Sequence, residues 1–171
     1  NGKVTGMHKM NDQILASTEL SLMKIDLTDT TNNNVTSLGN DLIEFGFELL
    51  SYDNPGIWLA KEDRLIWVDD NGGKNEFSVG STITSLYKED NLIILGTERG
   101  LKTFPANEVN NPSVNIESIV PNNPEVSNFS SIRVLNDGRL VCGSSRGISI
   151  YDDKKGWRNI LEIKVSNTDT I

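Results

Sequence analysis

The feature that most constrains this chain is a stretch it spells twice. Leu92-Ile-Ile-Leu-Gly-Thr-Glu-Arg-Gly-Leu-Lys-Thr-Phe104 returns as Leu140-Val-Cys-Gly-Ser-Ser-Arg-Gly-Ile-Ser-Ile-Tyr151. In each, an apolar run closes on a glycine and a hydroxyl residue, passes through Arg-Gly, and opens a second run. Gly96 and Gly143 are 47 residues apart, as are Gly100 and Gly147. A fixed period of this size means that one structural unit is being stacked, each too small to bury its apolar face alone.

Two looser copies precede these. Ile14-Leu-Ala-Ser-Thr-Glu-Leu-Ser-Leu-Met-Lys-Ile25 fits the frame with Ala16 in place of Gly96. Ile57-Trp-Leu-Ala-Lys-Glu-Asp-Arg-Leu-Ile-Trp-Val68 fits it with Ala60. Each copy follows a further short stretch: Val4-Thr-Gly-Met-His-Lys-Met10, residues 42–50, Ile83-Thr-Ser-Leu-Tyr87 and Ser131-Ile-Arg-Val-Leu135. Asn11-Asp12, Asp53-Asn-Pro-Gly56, Glu89-Asp-Asn91 and Asn136-Asp-Gly138 separate the two. Short apolar runs bounded by such residues are antiparallel strands joined by hairpins.

One unit then reads as four strands. The second is apolar at consecutive positions, as a strand covered on both faces must be. Its terminal Gly or Ala lets a neighbouring backbone approach, and the Arg-Gly step supplies a residue that accepts positive φ for a tight turn. The third alternates, and the fourth is the least regular: Asn75-Glu-Phe-Ser-Val79, residues 114–120, and residues 157–165. Four-stranded units of this period, packed face to face, are blades of a β-propeller. The same spacing also suits an ordinary β-sandwich. The predicted fold is all-β, with four four-stranded antiparallel units at approximately 1–40, 41–79, 80–127 and 128–166. A further blade is expected to begin at 167–171, which makes the chain part of a longer propeller of about six to eight blades.

Asp53-Asn-Pro-Gly-Ile-Trp-Leu-Ala60, Leu95-Gly-Thr-Glu-Arg-Gly-Leu101 and Asp137-Gly-Arg-Leu-Val-Cys-Gly-Ser-Ser-Arg-Gly-Ile148 resemble the repeat of two-component regulator propellers. That blade runs approximately Asp-x-x-Gly-x-Ile-Trp-x-Gly-Thr-x-x-Gly-Leu. Tryptophan holds its place only at Trp58, the Gly-Thr pair is intact only at Gly96-Thr97, and the first copy has Leu20 where the turn glycine belongs. WD40-like and citron-homology propellers share the skeleton, although the Gly-His and Trp-Asp marks of WD40 repeats are absent. The resemblance implies a ligand- or protein-recognition module, the sensor part of a signalling receptor, in a periplasmic or other extracytoplasmic setting. The WD40-like skeleton implies instead a scaffold in a larger eukaryotic assembly, with a cytoplasmic setting. A propeller lyase or hydrolase fragment is the third class.

The net charge of −8 disfavours nucleic acid and anionic membrane surfaces. No stretch has the apolar length of a membrane span. Cys142, the single cysteine, forms no internal disulfide, and its apolar strand predicts a buried, inert thiol. His8, the single histidine, lies among Met7 and Met10 and reads as structural. One His and one Cys make neither a nucleophile pair nor a zinc site, so no catalytic residue, metal or cofactor is expected. Asp69-Asp-Asn-Gly-Gly73 reads as a hairpin turn, since the EF-hand spacing is missing. Asn34-Val-Thr36 and Asn128-Phe-Ser130 fit the glycosylation pattern at the frequency that an asparagine-rich chain supplies by chance.

What remains is surface. The turns between second and third strands carry Glu98-Arg99 and Ser145-Arg146, with Thr18-Glu19 and Glu62-Asp63 at matching places. The link holding Asn122 and Asn123 is expected on the same rim. Two arginines at equivalent positions suit a carboxylate, a phosphate or a partner's acidic loop. The plainer reading is that each arginine solvates its turn and pairs with a nearby glutamate. The expected partners are a protein or small-molecule ligand and the remaining blades of the propeller.

Overall fold

The structure is a computed structural model that describes residues 3–28, 34–38, 47, 49–53, 56–69, 71, 73–119 and 128–162. It divides into two compact units, Asn1–Gly80 and Ser81–Ile171. Each unit holds two four-stranded sheets in which every neighbouring pair is antiparallel and strand order follows the sequence. This is the meander of a propeller blade; no Greek-key crossing of the kind that builds a sandwich occurs among these strands.

In unit one the first sheet is β1 (Val4–Met10), β2 (Gln13–Thr18), β3 (Leu22–Asp26) and β4 (Val35–Leu38). The second is β5 (Leu49–Asp53), β6 (Gly56–Lys61), β7 (Arg64–Asp69) and β8 (Lys74–Ser78). In unit two the third sheet is β9 (Ile83–Glu89), β10 (Leu92–Thr97), β11 (Gly100–Pro105) and β12 (Glu117–Ile119). The fourth is β13 (Phe129–Val134), β14 (Leu140–Ser144), β15 (Gly147–Asp152) and β16 (Gly156–Glu162). Within each unit the first strand of one sheet packs on the first strand of the next, β1 on β5 and β9 on β13.

The second strands are buried on both faces, as their unbroken apolar runs require. Ile93, Ile94 and Leu95 are buried in β10, and Ile57, Trp58, Leu59 and Ala60 in β6. Leu15, Leu22, Phe47, Ile57, Leu59, Ile66 and Val68 form the core of unit one. Ile94, Leu101, Phe129, Ile132, Leu140 and Cys142 form that of unit two. Each large side chain removed from water in this way contributes about 1.5–3 kcal/mol. Trp58 is fully buried, with ring centroids 4.9 Å from Trp67 and 6.5 Å from Phe77.

The register corrects four expectations. Three first strands carry a one-residue bulge near their start, at Thr5, Thr84 and Ser130. Just past it stand the cross-strand pairs Gly6–Ser17, Ser85–Gly96 and Ser131–Gly143. Ser17, rather than Ala16, therefore matches Gly96; the four-residue turn Thr18 to Ser21 shifts the first copy by one place. Ala60 keeps its assignment, one pair short of the two-residue turn at Glu62-Asp63. The strand expected at 42–50 is found at Leu49–Asp53, and residues 42–46 and 48 lie outside the described residues. Asp53 and Gly56, expected in the turn, pair with each other, because a two-residue loop carries the ladder to its last rung. Of the strand expected at 114–120 only Glu117–Ile119 pairs with β11. The 3₁₀ turn Ala106–Glu108 and the bond from Val114 N to Asn111 O keep the preceding residues off the sheet. Asp69 does cap a hairpin turn: its Oδ1 accepts the N–H of Asn71 and of Gly73, each at 2.8 Å.

Candidate functional site

The turns that carry Arg99 and Arg146 are built alike. Thr97 is fully buried; its Oγ1 accepts the Arg99 N–H at 3.1 Å and donates to Gly100 O at 3.0 Å. Ser144 Oγ accepts the Arg146 N–H at 3.2 Å and donates to Gly147 O at 3.5 Å. Gly100 and Gly147 follow the arginines at φ of 115° and 140°, where a side chain would be strained. A hydroxyl thus latches each two-residue turn from below, as Asx- and ST-turns do, and fixes the backbone beneath each arginine. Thr18 repeats the device in unit one, accepting the N–H groups of Leu20 at 3.2 Å and Ser21 at 3.0 Å.

Both arginine turns lie at one end of the paired third and fourth sheets. Thr97 pairs with Ile83 at the start of β9, and Ser144 pairs with Phe129 at the start of β13. Those two starts are tied together: Thr84 Oγ1 and Ser85 Oγ both donate to Phe129 O, at 2.7 and 2.8 Å. Glu98, Arg99, Ser145 and Arg146 are all exposed. Among the described residues no ion pair joins a carboxylate to either guanidinium. Asn122 and Asn123 lie outside the described residues.

Two clefts escaped the sequence reading. At the other end of the fourth sheet, a cleft of about 280 Å³ is lined by Arg139, Ile150, Asp152, Lys155, Trp157 and Arg158. Arg139 is held there by Asp137 at 2.7 Å, and Asp152 Oδ1 accepts the N–H of Lys154 and of Lys155. That hydrogen bond and charge also keep the Asp137 carboxyl below its usual range. The run Lys154-Lys-Gly-Trp-Arg158 was the available signal. In unit one an open cleft of about 560 Å³ is lined by His8, Lys9, Asp12, Gln13, Asp26 and Thr28 among others. His8 is half-buried on its wall, and burial lowers its pKa. The Thr28 N–H and hydroxyl hold Asp26 below the usual carboxylate range.

Cys142 is fully buried, and desolvation pushes its thiol up to about 12, far from thiolate chemistry at neutral pH. The described residues include no group of three or more His, Cys, Asp or Glu that could hold a metal ion. No helix among them is long and apolar enough to cross a membrane.

No family model matches the chain, and no curated protein matches it. Solved structures do. A streptogramin B lyase superposes with a TM-score of 0.70 at 12% identity, over 92% of this chain and 54% of that one. The extracellular domain of the hybrid two component system BT4673 from B. thetaiotaomicron gives 0.63 at 17%, over 88% and 21%. Hsv2 from Kluyveromyces lactis gives 0.62 at 12%, over 98% and 60%. The chain spans 54%, 21% and 60% of the length of these three solved chains. At such identities the likeness bears on the fold, and with the four antiparallel four-stranded sheets it establishes that this chain is built of β-propeller blades.

Proposed function

We propose that the chain is a non-catalytic recognition module of a β-propeller, the sensor part of a signalling receptor, which grips an anionic group of a ligand or partner protein between Arg99 and Arg146. The observation that carries this is the pair of similarly latched turns, which carry two exposed arginines at one end of adjoining sheets, with no ion pair to either among the described residues. A guanidinium whose backbone is already fixed loses less freedom on binding, and its fork matches a carboxylate or phosphate. The resemblance to two-component regulator repeats, and the likeness to the BT4673 extracellular domain, support the sensor reading and an extracytoplasmic setting. The scaffold reading uses the same surface with an acidic loop as the occupant.

The test is NMR titration with inorganic phosphate and with a dicarboxylate, following the arginine Nε–H signals. Shifts at Arg99 and Arg146 are expected, with the Arg99 shift weakened in Arg146→Ala, the Arg146 shift weakened in Arg99→Ala, and Tm unchanged in both. Signals that do not move, or move equally at other arginines, refute the site.

A further inference from the structure

The row that closes the fourth sheet at the end away from Arg146 has an opening built into it. Ile150 pairs with Arg158 and Asp152 with Gly156, which puts all four on one face. Gly156 turns the chain at a φ of 72°, and a Cβ built on it would meet nothing within 4 Å. The side chain missing there leaves the cleft of about 280 Å³, with buried Ile150 as its floor and Trp157 in its wall. The Trp157 indole N–H is buried and has no hydrogen-bond partner among the described residues.

The charge of the cleft is uneven. Among the described residues Arg139, Lys155 and Arg158 line it against one carboxylate, Asp152. Asp152 already serves its own turn, its Oδ1 accepting the N–H of Lys154 at 2.9 Å and of Lys155 at 3.1 Å. Asp137 occupies Arg139, its Oδ2 lying 2.9 Å from Nε and 2.7 Å from Nη2. Among the described residues no ion pair joins a carboxylate to Lys155 or Arg158. This row also lies past the reach of a neighbouring sheet. The third sheet has such a neighbour, since β13 packs on β9 and β10. Register counted from Gly96 and Gly143 matches Leu92 to Arg139, Pro105 to Asp152 and Glu117 to Arg158. With the fourth sheet in place, Leu92 and Glu117 remain exposed and Pro105 half-buried. The cleft is thus open by its place on the sheet, and its cations have no counterpart at those positions of the third sheet.

We propose that this cleft binds a small organic anion, its carboxylate or phosphate held between Lys155 and Arg158 and its apolar body laid on Ile150 and Trp157. The guanidinium fork matches either oxyanion, and the lysine adds a second charge without demanding a geometry. The volume lies at the lower end for ligand pockets, about 300–1,000 Å³, so the body is no larger than one ring. The site is separate from that of Arg99 and Arg146, which lies at the opposite end of the sheet.

The test is NMR titration of the 171-residue chain with benzoate and with phenyl phosphate, and with acetate and inorganic phosphate as probes that lack the ring. The Trp157 indole N–H and the Nε–H signals of Arg139 and Arg158 are followed. A saturable shift with benzoate or phenyl phosphate is expected, about tenfold tighter than with the corresponding ringless ion, and the tighter of the two names the head group. Lys155→Gln and Arg158→Gln should each weaken binding by about tenfold or more, with the circular dichroism unchanged. Gly156→Asn keeps a residue that accepts positive φ and fills the opening, so it should weaken binding as well. Arg99→Ala with Arg146→Ala should leave these shifts as they are, which separates this site from the other. The absence of a saturable shift with both ring-bearing probes overturns the proposal. So does equal affinity for the ringless ions, or binding that survives Arg158→Gln undiminished.

Discussion

Gly96 stands across the β9–β10 pair from Ser85, and the side chain it lacks is what lets the serine hydroxyl reach the carbonyl of Phe129. A repeat glycine that looks like a strand terminator is in fact one wall of a joint between sheets. The hydroxyl opposite does the joining, and the bulge at Thr84 brings a second hydroxyl to the same oxygen.

Gly96→Ala should therefore destabilise the protein by about 1–3 kcal/mol, the usual effect of forcing atoms into a packed site whose neighbour is backbone. Gly143→Ala should cost less, under about 1 kcal/mol, because it meets only the flexible hydroxyl of exposed Ser131. Urea unfolding of the two variants checks the difference. Equal losses would mean that the Phe129 carbonyl does not set the constraint at Gly96.

The latches beneath the arginines differ in the same sense. Thr97→Val removes a fully buried hydroxyl and strands the Arg99 N–H and the Gly100 carbonyl, for an expected loss of about 1–3 kcal/mol. Ser144 is half-buried and its donated bond is long, at 3.5 Å. Ser144→Ala should lose about 0.5–1 kcal/mol. Thermal melts of the single variants give the comparison.

The sheets were legible because their signals are local. The Gly96 and Gly143 spacing, the apolar runs at Ile93 and Val141, and the turn residues between them each depend on a few neighbours along the chain. The frame slipped in the first copy, where Ser17 takes the place assigned to Ala16. Nothing in Leu15-Ala-Ser-Thr18 says on which rung the bulge falls, and one rung decides which residue faces the next sheet. The joints were invisible for a different reason. Ser85 and Thr5 bond to the backbone of residues 44 and 42 positions away, and a carbonyl leaves no mark in a sequence. Arg99 and Arg146 stood out because the repeat aligns them. The cleft around Arg139 and Trp157 belongs to one sheet only, so no second copy drew attention to it.

Phe129 separates the two roles of a joint residue. Its ring is fully buried and stacks on Trp157 with centroids 5.1 Å apart, while its carbonyl takes the two hydroxyls. Phe129→Ala keeps the carbonyl and removes the ring, and should cost about 3–5 kcal/mol from the cavity. Thr84→Val with Ser85→Ala removes the donors and keeps the ring. Combined, the two sets of changes should fall short of or exceed additivity, since they act on one contact. A double-mutant cycle in urea reads the coupling, and strict additivity would show ring and carbonyl to be independent.

Cys142 supplies a pH dependence with a definite sign. Burial raises its thiol from 9.0 to about 12 in the folded protein. Below pH 9.0 the thiol is protonated in folded and unfolded chains alike, and its contribution is fully present. Between 9.0 and about 12 the unfolded chain ionises while the folded one holds its proton, so stability falls as pH rises. The slope approaches about 1.4 kcal/mol per pH unit at most. Lysines and tyrosines titrate in the same range, so the measurement is the difference between the chain and its Cys142→Ala variant. Their unfolding free energies, set against pH, should diverge below pH 9.0 by a constant and converge above it. A constant difference throughout would show that the thiol ionises freely in the folded state. At neutral pH a thiol reagent should label Cys142 only through unfolding, at a rate that rises with urea.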